Sequence, residues 1–531
     1  MRAHVVILAA IVVAGCTSSG ATTSNSSAPS TGGGAIAPAL DAITQADLRR
    51  DMFAMGGDAM RGREAGTLDE MRATGWVAER AREAGLSPAG DDGTFFQWWP
   101  MRRTRLSVSS QLSIGGGPLA LWKDVVLLGN QTATVDAPIV FLADSAAIAT
   151  TDVKGKAVAM ELPAIATQPL DQFTIRGNFQ ATISQRARQR AGAIAQAGAA
   201  AVILVSNGDA NEELAFDATA AVSSRGSYGI DSTLTPGATQ AGAGRGGRGG
   251  NAAQNAGGGR GRGGVTVPTL MLRHNMLDRV KSGGRLTANI FSETFYYPSG
   301  NVIGVIKGTD PRLANEYVLF SGHQDHDGAR YPVNGDSIWN GADDNASVSV
   351  ALLAAARAFA KHPAPRPVLF IWHGAEERGL LGSRWYVAHP TVPHSQIIAV
   401  LNADMIGRNN PDSAALLGAQ PPHKNSNALV DAALRVNDAL TKFKLDTIWD
   451  RPTHSEGWYF RSDHLPYARA GIPAIEFSTL LHPDYHTPRD EPARIDIPKL
   501  TKMAEWMYAT GWVIATAKER PDVIPGFRLE R

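Results

Sequence analysis

The sequence predicts an α/β protein built on a mostly parallel, helix-covered sheet, and three observations lead there. From about residue 291 to 520, short apolar runs alternate with helical stretches, the βαβ pattern. Residues 118–290 have a different texture, with short apolar runs and one Ala-rich helix (ARQRAGAIAQAG) leading into a strand (AAAVILVSN). The chain has 531 residues, too many for one simple core, so two or three domains are expected.

The elements follow in order. Residues 1–16 begin with a cation, Arg2, and an apolar run from Val5 to Gly15. That run is too short to span a hydrocarbon core of about 30 Å, but it suits a signal peptide. It ends in Val13-Ala14-Gly15-Cys16, which resembles a bacterial lipobox. The resemblance implies lipidation of Cys16 and attachment to a cell-envelope membrane; a plain secretory signal is the alternative. Cys16 is the only cysteine, which excludes an internal disulfide and any cysteine-based zinc site. Residues 17–40 are rich in Ser, Thr, Gly and Pro and read as a flexible tether. Residues 41–117 open with Ile43–Leu86, helices broken by glycines. Within 118–290, a loop at about 236–264 repeats Arg-Gly-Gly. With no aromatics interleaved to stack on bases, and a formal net charge of only +1 on the chain, nucleic acid is not an expected partner. That loop reads as disordered surface. Residues 291–520 form the main domain and 521–531 a tail.

The chemistry concentrates in 291–520. Of the chain's 13 histidines, all but His4 and His274 lie between His323 and His486. Three buried-strand patterns end on groups able to bind a metal: EYVLFSG before His323, RPVLFIWHGA before Glu376 and Glu377, and QIIAVLNA before Asp404. In open α/β sheets the ligand crevice lies beyond the carboxyl ends of the strands, so these three ends converge. Asp343 and Asp344 precede a helix with an apolar stripe at Val348, Leu352, Ala355 and Phe359; a helix cap is the ordinary reading of one of them. His486 sits in a turn before Pro488. A histidine and carboxylate set without cysteine suits zinc in an open site. So many carboxylates overload one divalent ion, and two ions about 3.5–4 Å apart sharing a carboxylate balance them.

SGHQDHDG, NGADDNAS, HGAEERGLLGS, NADMIGR and DYHTPRD resemble, in order and rough spacing, the motifs of the co-catalytic dizinc aminopeptidases. These are secreted bacterial leucyl-type enzymes related to glutamate carboxypeptidase and glutaminyl cyclase. MRGREAGT (Met60–Thr67) is similar to that family's N-terminal segment. DVKGKAVAM, AGAIAQAGAAAVILVSN and VPTLMLRH resemble pieces of a protease-associated domain. The resemblance implies the zinc-exopeptidase fold, a mixed, mostly parallel sheet with helices on both faces, and an inserted, mainly-β protease-associated domain.

It also implies two Zn2+ ions: His323 and Asp404 on one, Glu377 and His486 on the other, and Asp344 bridging them, with a cis peptide after Asp344. Asp325 would orient the His323 ring. Glu376 would be the general base, taking a proton from water and passing it to the leaving amine. Tyr485 would hydrogen-bond the developing oxyanion. His326, His373, His464 and Asp463 are expected to be supporting or structural. The implied activity is release of N-terminal residues from peptides with a free N-terminus. A carboxypeptidase, a glutaminyl cyclase-like acyltransferase or a receptor-like binding protein on the same fold are the alternatives. The preferred residue and the oligomeric state are not legible.

Overall fold

The computed structural model describes residues 36–163, 180–230, 267–333 and 335–531. The signal peptide, Cys16, most of the tether and the Arg-Gly-Gly loop lie outside the described residues. Among those described, no helix is long and apolar enough to cross a membrane.

The main sheet runs through nine strands: β1 (Phe96–Leu106), β2 (Ser227–Ile230), β3 (Ser292–Ile306), β4 (Tyr317–His323), β5 (Val368–His373), β6 (Ile397–Asp404), β7 (Ser413–Leu417), β8 (Lys444–Asp446) and β9 (Ala474–Ser478). Their order is β8–β7–β9–β6–β4–β5–β3–β1–β2, and Ser87–Pro88 pairs onto β3 as a tenth strand. The centre, β5–β4–β6–β9, is parallel. Antiparallel pairing extends it on both sides, β3 against β5 and β7 against β9.

Burial on both faces explains the near-continuous apolar strands. Successive side chains point to opposite faces. Val318 and Phe320 therefore enter the larger core, with helices α1 (Gln45–Met55), α2 (Leu68–Glu83), α3 (Val348–Lys361) and α4 (Ile497–Thr516). Leu319, Leu369 and Ile371 enter a smaller core on the other face. The helix starts are written locally: Thr44, Thr67 and Asp496 each accept a main-chain N–H of the first turn.

The tether is shorter than expected. Ala37 is buried in the main core, and the Tyr508 hydroxyl donates to the Pro38 carbonyl at 2.7 Å. Residues 36–40 thus belong to the folded body. The tail also docks, with the Ile524 N–H donating to the Asn425 carbonyl.

The second sheet has eight strands and begins at Gln111, not at 118. Gly115 and Gly116 turn the chain between the paired strands Gln111–Ile114 and Gly117–Pro118. Half of this sheet is a parallel set, Ala133–Phe141, Ala157–Glu161, Ala201–Val205 and Thr269–Leu272. The helix Gln180–Gln196 crosses between the second and third of these, so this lobe is α/β in part. The lobe is not a clean insertion either, because β2 leaves it to pair with β1 of the main sheet.

Candidate metal centre

The chain runs from β4 through α3 to β5 on one side of β4, then places β6 on the other. That reversal opens the crevice where open α/β sheets bind ligands. His323 ends β4, Asp404 ends β6, and Glu376 and Glu377 form the turn after β5. Asp344 lies in the turn before α3, and His486 in the loop after β9. Three residues without the freedom of glycine hold left-handed backbone at these turns: Ala375 (φ 54°), Met405 (φ 52°) and His486 itself (φ 51°). Such strain collects where function fixes a geometry. The Asp344–Asn345 peptide is cis.

Asp344 faces two ways. Its Oδ1 is 3.2 Å from His323 Nε2, which is 3.7 Å from Asp404 Oδ1. Its Oδ2 is 2.8 Å from His486 Nε2, which is 3.0 Å from Glu377 Oε1. His323, Asp344 and Asp404 form one group of converging donor atoms; His326, Asp344, Glu377 and His486 form the other. All are buried. His323 Nε2, Asp404 Oδ1 and both ring nitrogens of His486 lack hydrogen-bond partners. Buried polar atoms are rarely left so, and nitrogen and oxygen donors converging in this way fit two divalent cations sharing Asp344.

The electrostatics point the same way. Burial, then Glu377, pushes the Asp344 carboxyl up to about 7. Burial also raises Glu376 well above 4.5; His323 opposes the shift and Asp404 reinforces it. On His323 burial disfavours charge, but Glu376, Asp344 and Asp404 outweigh it and raise its pKa well above 6.5. Cations in the cluster would relieve this crowding of negative charge.

Supporting contacts differ from expectation. The Asp325 carboxylate is 3.8 Å from His323 Nδ1, and the ring is held instead by the Asp325 main-chain carbonyl at 3.1 Å. The carboxylate is drawn away by two N–H donors, Glu376 at 2.9 Å and Glu377 at 3.3 Å, and so fixes the paired-glutamate turn. Neither Asp343 nor Asp344 caps α3. Asp343 Oδ1 accepts the Gly407 N–H and pins the segment after β6. The Asp490 carboxylate accepts the N–H groups of Asp343 and Asp344. His373 lies in a buried network with Asn301 and Tyr467, and His464 faces Glu476. Asp463 pairs with Ser383.

Tyr485 lines the cleft with Glu376, Trp458 and Arg461. Arg461 donates to its hydroxyl oxygen at 2.9 Å and stacks over Trp458 at 4.4 Å. Arg63, in the segment MRGREAGT, is fully buried. Its guanidinium donates to the carbonyls of Met55, Gln324, Asn340 and Gly341. It ties the loop after β4 to the loop before Asp344. Sequence reasoning took His326 as supporting or structural rather than as part of a donor group, and it did not place Arg63 or Asp490. For His326 the signal was present, a second histidine three positions after the first. The others act through backbone contacts that leave no spacing pattern.

Fold and site together place two groups of buried donor atoms, able to hold divalent cations, at the crevice of an open α/β sheet. Residues 301–511 match the model of Peptidase family M28. The chain is 29% identical over 191 residues to aminopeptidase YwaD of Bacillus subtilis (strain 168), covering 35% of this chain and 40% of that one. It is 29% identical over 247 residues to leucine aminopeptidase 1 of Trichophyton rubrum, covering 44% and 62%. The matches thus span less than two thirds of these relatives. The fold is shared with a zinc aminopeptidase from Bacillus subtilis, at a TM-score of 0.53 and 19% identity, over 92% of this chain and 99% of that one. It is also shared with an aminopeptidase from Aneurinibacillus sp. strain AM-1, at a TM-score of 0.51 and 19% identity, over 91% and 96%.

Proposed function

We propose that the protein is a zinc-dependent exopeptidase, an aminopeptidase that hydrolyses the N-terminal residue from peptides. The observation that carries this reading is the pair of buried donor groups sharing Asp344, with Glu376 Oε2 3.7 Å from His323 Nε2. His323, Asp344 and Asp404 would hold one Zn2+, and Asp344, Glu377 and His486 the other. The ions would supply Lewis acidity and lower the pKa of water. Glu376, its carboxyl raised by burial, takes the water proton and delivers it to the leaving amine. Arg461 donates to the Tyr485 hydroxyl oxygen and positions that residue in the cleft, where its hydroxyl would stabilise the oxyanion. Glu376, Trp458, Arg461 and Tyr485 line the cleft beside Asp344, Glu377, Asp404 and His486. The aminopeptidase names of the relatives support the choice of terminus.

The N-terminal sequence supports a further reading: export, with a lipid on Cys16 tethering the enzyme to a cell-envelope membrane.

A panel of aminoacyl reporter substrates, alongside N-blocked and C-terminal reporters, with and without chelator, tests the activity. Chelator-sensitive release confined to free N-termini is expected. Release only from C-terminal reporters, or none from any, overturns the aminopeptidase reading.

A further inference from the structure

His326 has no assigned role, and its surroundings give it one. The side chain is fully buried, and neither ring nitrogen has a hydrogen-bond partner. Nδ1 lies 2.9 Å from Glu377 Oε1, an ion-pair distance without hydrogen-bond geometry, and 3.9 Å from Asp344 Oδ2. His486 Nε2 approaches the same two oxygens, at 3.0 and 2.8 Å. The two imidazoles meet edge to face with centroids 4.9 Å apart. All four donor atoms lie within 4.8 Å of one another. A tetrahedral zinc shell with bonds of about 2.0–2.1 Å sets its donors roughly 3.3 Å apart, close to most of these separations.

The ring is held there by design of the backbone. The His326 N–H donates to the Arg63 carbonyl at 3.2 Å, and Arg63 in turn donates to the Gly341 carbonyl at 2.8 Å. Gly341, at φ 62°, lies flat against the imidazole: a Cβ there would sit 2.2 Å from His326 Cγ. Only glycine allows both that backbone and that approach.

We propose that His326 is a metal ligand, so that the two cations sharing Asp344 sit in unequal sites. Resting on the dizinc reading above, one site is closed by four protein ligands: His326, His486, Glu377 and Asp344. The other, His323, Asp404 and Asp344, has three and keeps a position open. Closed zinc sites are structural in character and open ones catalytic. The His326 site therefore retains its ion, and the His323 site exchanges its ion and faces the chemistry.

The test follows zinc leaving the fully loaded chain under excess chelator, by metal analysis of the retained protein. Wild type should hold two zincs and release them in two phases, the second at least tenfold slower. His326→Ala should abolish the slow phase. Two zincs released in one phase by wild type, or an unchanged slow phase in His326→Ala, overturns the inference. Fewer than two zincs in wild type overturns the dizinc reading itself. If the variant does not fold, dicobalt wild type decides: paramagnetically shifted resonances from three ligand imidazoles support His326 as a ligand, and two overturn it.

Discussion

Both sheets contain a parallel core, and in both a cavity with acidic groups opens beyond the carboxyl ends of those strands. In the second lobe, Asp144, Glu161 and Asp209 line a cleft of about 680 Å³. Asp144 and Asp209 are exposed, and the Glu161 side chain is 35% exposed. Asp144 caps its own turn, accepting the N–H groups of Ala146 and Ala147. At the main sheet the acids are buried, crowded together and aimed at unpartnered imidazoles. Position at a strand end is therefore common to both and decides nothing. Burial does: a solvated carboxylate costs little, whereas a buried one must lose its charge or gain a cation.

The largest effect that sharpens the contrast belongs to Glu376. Glu376→Gln should lower kcat by about 10²–10⁴-fold, the usual worth of a general base, while metal analysis shows unchanged zinc content. Near-normal turnover would show that burial at this cleft marks structure and not catalysis.

Much of this was legible beforehand, for a physical reason. Strand ends and metal ligands are read through residue type at fixed places, so His323, Glu377, Asp404 and His486 stand out in one dimension. The geometry of their support does not. Asp325 was expected to hold the His323 ring through its carboxylate, but main-chain N–H groups of the following turn compete for it, and backbone donors carry no letter in the sequence. Asp343 likewise looks like a helix cap and instead pins Gly407. The second lobe begins earlier than expected, at the strand Gln111–Ile114, whose sheet partners lie far along the chain and leave no local signal. The docking of residues 36–40 depends on partners such as Tyr508, hundreds of residues away.

A middle case sharpens the comparison further. Glu70 is buried but belongs to neither metal group; it accepts from the Gly66 N–H and the Ser299 hydroxyl. Burial, then Asp325, pushes its carboxyl from 4.5 up to about 8. Its burial thus favours the neutral form. Because the folded state holds this proton more tightly than the unfolded state, its contribution to stability is complete below pH 4.5 and is lost as pH rises through about 8. Comparing thermal melts of wild type and Glu70→Gln across pH 4–9 should show wild type losing stability relative to the variant on the alkaline side, by several degrees. Parallel curves would mean that Glu70 is stably ionised despite its burial.

The smallest effect is expected at Glu161. It stands at the end of a parallel strand, as the main-sheet ligands do, and faces a larger cleft. His274 Nδ1 lies 3.9 Å from its carboxylate, and the side chain reaches water. A partly solvated carboxylate with so loose a partner contributes at most a few tenths of a kcal/mol. Glu161→Gln should therefore leave the melting temperature within about 1 °C of wild type, with kcat/KM and zinc content unchanged within error. A several-fold change in kcat/KM would break the comparison at its root. It would mean that the second cleft takes part in handling substrate, and that a strand-end acid need not be buried to matter in this chain.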